Sequence, residues 1–116
     1  MSEILGIARM RILDGKLDEF KRVSAQARDI VRAKDTGTLQ YDVFLNAAET
    51  EAIVLERYRD EASMMEHHEN MNEGGIMDAV MQTCTAEGEI LGDVSATLAE
   101  SLEGGPVSVL SLWQSL

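Results

Sequence analysis

Within the first 34 residues the apolar period changes from two to about 3.6, and this switch restricts the chain to folds that lay amphipathic helices against a sheet. Residues 4–13, "ILGIARMRIL", put Leu5, Ile7, Arg9 and Arg11 on one side and Ile4, Gly6, Ala8, Met10 and Ile12 on the other, which predicts a first strand. "DG" at 14 and 15 turns the chain, and from Lys16 to Lys34 the apolar residues Leu17, Phe20, Val23, Ala27, Ile30 and Val31 recur at helical spacing. Asp18 and Glu19 in the first turn and Lys34 in the last complement the helix dipole, and Gly37 is expected to terminate the helix.

The remaining elements follow by the same reasoning. "TLQYDVFLN" sets Leu39, Tyr41, Val43 and Leu45 against Gln40, Asp42 and Phe44, and pairs as a hairpin with "EAIVLERYR". Asp60 is expected to cap a second helix, which Gly74 and Gly75 interrupt and "IMDAVMQT" continues. "CTAEGEIL" reads as a fourth strand, "GDVSATLAESLEGG" as a turn and a short helix capped near Ser95, and residues 107–115 as a final strand. The order β α β β α β with an appended α β is α+β, a ferredoxin-like split βαβ with an antiparallel sheet and two helices on one face. At 116 residues one core is expected, so the chain is a single domain, 1–116, with its core at about 4–92 and a helix and strand extension at about 93–116. The other sheet face needs a cover, and a homodimer packed sheet on sheet supplies one.

Charge limits the partners. Residues 1–48 carry eight Lys or Arg against seven acids, whereas residues 49–116 carry only Arg57 and Arg59 against fourteen acids, for a net charge of -11. Such a surface repels polyanions, which excludes nucleic acid and anionic membrane as partners. The first ten residues have no basic region or long apolar run, and nowhere does an apolar run approach the roughly 20 residues needed to span a bilayer, so the expected location is the cytoplasm. The single cysteine, Cys84, offers no internal disulfide and no thiolate zinc framework and is expected to be a small buried or half-buried hydrophobe.

The chemistry-bearing residues gather in "ERYRDEASMMEHHENM", residues 56–71, which contain both histidines. Neighbours on a helix diverge by about 100°, so His67 and His68 do not share one metal, and no HExxH pattern is present. No metal and no cofactor is expected, since a phosphate-cradling glycine loop is also missing. One histidine facing a cavity could take a phenolic proton at neutral pH, with Tyr41 and Tyr58 orienting the substrate by hydrogen bonds. Glu56 is expected to pair with an arginine such as Arg9. Met64, Met65, Met71, Met77 and Met81 suit either a core or the wall of an irregular apolar pocket that takes a small aromatic molecule.

The segment "GTLQYDVFLNAAETEAIVLERYRDEASMMEHHENM" resembles the antibiotic biosynthesis monooxygenase (ABM) family. Its pattern of a glycine, Leu-x-Tyr, Glu-x-aromatic, an acid and an alanine before a helical histidine falls on Gly37, Leu39, Tyr41, Glu56, Tyr58, Asp60, Ala62 and His67. The resemblance implies a dimeric α/β barrel with a cavity between sheet and helices in each protomer. It also implies quinol-monooxygenase-like oxidation of an electron-rich aromatic by O2 without metal or flavin, and it favours His67 over His68 as the base. Haem-degrading relatives use an asparagine on the first strand and a tryptophan plus histidine further on. Here Ile7, Ala8 and Arg9 occupy that strand position and the sole tryptophan is Trp113, which disfavours haem degradation. The competing expectation is a non-catalytic or stress-related dimer of the same fold that binds a small hydrophobic ligand.

Overall fold

The computed structural model describes residues 2–116. The chain runs β1 (Ile4–Ile12), α1 (Leu17–Lys34), β2 (Thr38–Leu45), β3 (Glu51–Tyr58), α2 (Glu61–Glu73), α3 (Ile76–Met81), β4 (Cys84–Leu91), α4 (Ala96–Leu102) and β5 (Val107–Leu110). One open sheet has the order β2-β3-β1-β4-β5. The first four strands pair antiparallel, as the split βαβ order requires. β5 departs from the expected antiparallel sheet: it lies parallel to β4, because α4 carries the chain back to the starting end of that strand before β5 begins. The final strand is also shorter than the predicted 107–115. Among the described residues no neighbouring strand continues the ladder beyond Leu110, and residues 111–116 run without regular structure, with Trp113 90% exposed.

Local signals explain most boundaries. Gly15 and Gly75 adopt positive φ at the turns into α1 and α3, a conformation that costs glycine little. Asp60 caps α2 by accepting from the Ser63 backbone N–H at 2.8 Å and from its hydroxyl at 2.7 Å, and Ser95 caps α4 by accepting from Leu98 N–H. Gly37, in contrast, does not terminate α1, which ends as Asp35 turns extended. Gly37 is needed for contact: a Cβ there would stand 1.9 Å from Ser63 Oγ, so only glycine lets the segment leading into β2 lie on the first turn of α2.

The helix-facing side chains of the sheet are large at both ends and small in the middle. On β1 they are Ile4, Gly6, Ala8, Met10 and Ile12, and on β4 Cys84, Ala86, Gly88 and Ile90. One end packs Ile12, Ala52 and Cys84 under Phe20, Val23, Met71 and Val80. The other packs Ile4, Tyr58 and Ile90 under Met64, with Leu98 and Leu102 of α4 beside them. Between the two clusters, Gly6, Ala8, Ala86 and Gly88 do not reach the helices, and a cavity results.

Candidate active site

This cavity has a volume of about 290 Å³, close to the lower end of the roughly 300–1,000 Å³ usual for ligand pockets. Its floor is the small-residue stripe of β1 and β4, and much of its roof is methionine: Met64 and Met71 from α2, Met77 and Met81 from α3. Met65 points outward and takes no part. Polar groups concentrate at one end, where Tyr41, Glu56, His67 and His68 meet.

His67 is held from both sides. It is 2% exposed, and its Nδ1 lies 2.8 Å from Asp35 Oδ2, while its Nε2 faces the cavity 3.8 Å from Glu56 Oε1. The rings of Tyr41 and Tyr58 flank it with centroids at 5.7 and 5.5 Å. Tyr41 reaches the cavity wall, whereas Tyr58 sits one layer back, fully buried against His67. Tyr58 Oη has no partner at hydrogen-bond geometry among the described residues. His68 also borders the cavity, half-buried, with its ring centroid 5.7 Å from that of His67.

Asp35 had no place in the sequence-based expectation, and the residues around it explain its position. It heads the segment Asp35–Thr38 between α1 and β2, and α2 grips this segment along its length. Asp35 accepts from Asn70 Nδ2 at 2.8 Å, Glu66 accepts from Thr36 N–H at 2.7 Å, and Gly37 lies on Ser63. Thr38 Oγ1 donates to Asp35 Oδ2 at 2.7 Å. A bulge between Thr38 and Gln40 then shifts the register of β2 against β3. Because of that extra residue, both Thr38 and Tyr41 face the site, and Leu39, expected on the face of Tyr41, is 45% exposed.

Glu56 does not pair with Arg9. On β3 it shares a face with Val54 and Tyr58 and lies opposite Gly6 of β1, whereas Arg9 belongs to the opposite face and pairs with Glu89. A Cβ at Gly6 would approach Glu56 Oε2 to 2.8 Å, so the glycine makes room for this carboxyl. Burial, with a smaller contribution from Asp35, raises the pKa of Glu56 above the ordinary carboxylate range, and His67 and Tyr58 only partly oppose the shift. For Asp35, burial pushes the pKa upward, but the hydrogen bonds from Asn70, Thr38 and His67 outweigh it and hold the carboxyl below the usual range. Burial, then the charges of Glu56 and Asp35, places the Tyr41 hydroxyl far above its ordinary value, so at neutral pH it is a hydrogen-bond donor and not a base. Burial, followed by the neighbouring His67, depresses His68.

The shift of Glu56 has a definite sign for stability. A carboxyl whose pKa rises on folding holds its proton more tightly in the native state, so its contribution is complete in acid and is lost as pH climbs from the ordinary carboxylate pKa through the raised one. Glu56→Gln, which stays neutral, is therefore expected to melt higher than wild type at neutral pH and close to it near pH ~4, the ordinary carboxylate range. Melting curves at both pH values check this, and a lower midpoint for the variant at neutral pH would contradict it.

Among the described residues no group of three or more His, Cys, Asp or Glu is arranged to hold a metal ion, and Cys84 is buried in the core. No helix among them is long and apolar enough to cross a membrane.

A ferredoxin-like α+β sheet with a pocket between its helices and a polar end built on one helical histidine defines a class of small domain. The antibiotic biosynthesis monooxygenase family model matches residues 4–73, more than half of the chain, and the chain belongs to that family. MupZ from Pseudomonas fluorescens superposes with a TM-score of 0.84 at 18% identity, over 100% of this chain and 94% of its own. SnoaB, a cofactor-independent oxygenase from Streptomyces nogalater, gives 0.70 at 12% identity, over 83% and 97% of the two chains. Rv0793 from Mycobacterium tuberculosis gives 0.61 at 23% identity, over 81% and 97%. At these identities the likeness is one of fold. No curated protein matches the chain in sequence.

Proposed function

We propose that the protein is a cofactor-independent monooxygenase that oxidises a small electron-rich aromatic of the quinol or phenol type with O2. The observation that carries this reading is a buried histidine with one nitrogen on a carboxylate and the other at the polar end of a cavity walled largely by methionines and small residues. Family membership and the fold shared with SnoaB, named a cofactor-independent oxygenase, support it.

In this reading the substrate hydroxyl gives its proton to His67 Nε2. The resulting phenolate is electron-rich enough to pass an electron to O2 directly, so no separate electron carrier is required. The radical pair closes to a carbon-bound peroxide. The O–O bond then breaks, leaving one oxygen on the ring as a carbonyl while the other departs as water with the two hydrogens the substrate has lost. The protein's share is deprotonation, orientation and exclusion of water. His67 takes and returns the proton, Tyr41 donates a hydrogen bond to the ring oxygen, Tyr58 supports His67 from behind, and the methionines pack against the ring. The test is O2 consumption with hydroquinones, naphthols and anthrone-like compounds. A wild-type rate no greater than that of heat-denatured protein would reject the reading and leave a ligand-binding protein.

Exclusion of water also bears on assembly. The sheet face opposite the helices exposes Leu5, Phe44 and Ile53, and the tail beyond β5 exposes Leu112 and Trp113. We expect a homodimer that covers this face, with the tail reaching the partner. Sedimentation velocity at micromolar concentration should give a dimer, and deleting residues 104–116 should weaken it. A monomeric wild type would overturn the expectation.

A further inference from the structure

We propose that Asp35, His67 and Glu56 act as one hydroxyl-recognising unit. Asp35 is the positioning residue that fixes the lone pair of His67 on Nε2, and the cavity around Glu56 selects a neutral, hydroxyl-bearing ligand over an anionic one of the same shape. This deepens the monooxygenase reading and rests on it for the later fate of the proton.

The first half follows from the partners of Asp35. Its side chain is 1% exposed; Thr38 Oγ1 donates to Oδ2 and Asn70 Nδ2 to Oδ1, and His67 Nδ1 lies 2.8 Å from Oδ2, an oxygen that can only accept. A carboxylate surrounded in this way takes the hydrogen of Nδ1. The lone pair of the neutral imidazole must then lie on Nε2, the nitrogen that faces the cavity. A freely rotating or flipped ring would place a hydrogen there for much of the time and could not accept a substrate proton.

The second half follows from what stands opposite Nε2. Glu56 Oε1, at 3.8 Å, is too far for a direct hydrogen bond to Nε2, yet one oxygen atom placed between them is within bonding range of both. A hydroxyl suits this position, since it gives its hydrogen to Nε2, with Glu56 Oε1 as a second acceptor beside it, and keeps lone pairs for the hydrogen of Tyr41. A carboxylate has no hydrogen to give. It would also find no compensating cation, because among the described residues the cavity wall contains no lysine or arginine, and Arg9, Arg11 and Arg57, which stand beside wall residues on the strands, are paired with Glu89, Glu51 and Glu3. The ligand therefore arrives neutral and becomes an anion only by passing its proton to His67.

Two measurements on the intact protein test this, and neither requires turnover. In protein carrying ¹⁵N-labelled histidine, with His68→Gln used for assignment, long-range ¹H–¹⁵N spectra at neutral pH should show His67 with Nδ1 protonated and Nε2 bare. Asp35→Asn should lose this preference. Wild-type His67 protonated on Nε2 alone would overturn the positioning role even if Asp35→Asn fails to fold, and an unchanged tautomer in a folded Asp35→Asn would do the same. In calorimetric titrations, 2-naphthol should bind at least about tenfold more tightly than 2-naphthoate, and Glu56→Gln should narrow that ratio. Equal or tighter binding of the naphthoate to the wild type, or a ratio unaltered by Glu56→Gln, would overturn the selectivity. If both measurements come out as expected and no substrate is turned over, the oxygenase reading alone fails.

Discussion

Replacing His67 by alanine is expected to lower oxygen consumption roughly 10²- to 10⁴-fold, the usual worth of a positioned general base. Alanine also deprives a buried carboxylate of a partner, so a loss of rate through damage to the fold must be separated from a loss of the base. His67→Asn provides that separation, because its side-chain amide can still donate to Asp35 while nothing replaces Nε2. Both variants should be equally inactive, with His67→Asn the more stable of the two. His68→Ala is expected to behave differently. That ring borders the cavity but makes no hydrogen bond among the described residues, so its removal should alter KM more than kcat and cost less than about tenfold. Oxygen-electrode assays with saturating and limiting hydroquinone distinguish these cases. Equal loss of kcat in His67→Ala and His68→Ala would show that the proton does not go to Nε2 of His67.

The route from sequence to this site was open in some places and closed in others, for physical reasons. Period-two and period-3.6 patterns located the β α β β α β elements because each must bury one face, and Asp60 announced α2 because an aspartate at that position satisfies free backbone N–H groups. Period two also separates Glu56 from Arg9. Glu56 lies in phase with Val54 and Tyr58, whereas Arg9 lies in phase with Leu5 and Ile7, so the two could not meet once β1 and β3 were adjacent. The bulge at Leu39 was not legible, since nothing in "TLQYD" marks an extra residue, and it removes Leu39 from the face it was expected to share with Tyr41, Val43 and Leu45 and brings Thr38 onto that face. Asp35 was hidden for a related reason. An aspartate directly after a helix resembles solvated loop, and only the docking of Asp35–Thr38 onto α2 turns it toward His67. The cavity itself did have a sequence signal, in the small residues at the centres of two strands that are otherwise bulky: Gly6 and Ala8 in β1, Ala86 and Gly88 in β4.

Two of those small residues should respond very differently to an added methyl group. At Gly88 a Cβ would fall 2.0 Å from the carbonyl oxygen of Ile7 and 3.2 Å from Cα of Ala8. These are backbone atoms of the adjacent strand, so the clash is relieved only if β4 moves away from β1, and those strands form the centre of the sheet. Gly88→Ala is therefore expected to cost at least about 2 kcal/mol, toward the upper part of the range for overpacked interiors. That corresponds to a fall of several degrees in the melting midpoint of a domain this size. At Gly6 the nearest atom to an added Cβ is Glu56 Oε2, at 2.8 Å, the far end of a side chain that can swing away. Gly6→Ala should accordingly cost less than half as much stability, but it displaces the carboxyl opposite His67 Nε2 and should affect ligand binding in a protein that still folds. Thermal melts of the two variants, paired with 2-naphthol titration of Gly6→Ala, test the contrast. If Gly88→Ala melted as high as Gly6→Ala, the close approach of β4 to β1 would not be a feature of the folded protein, and glycine at that position would not be what sets the floor of the cavity.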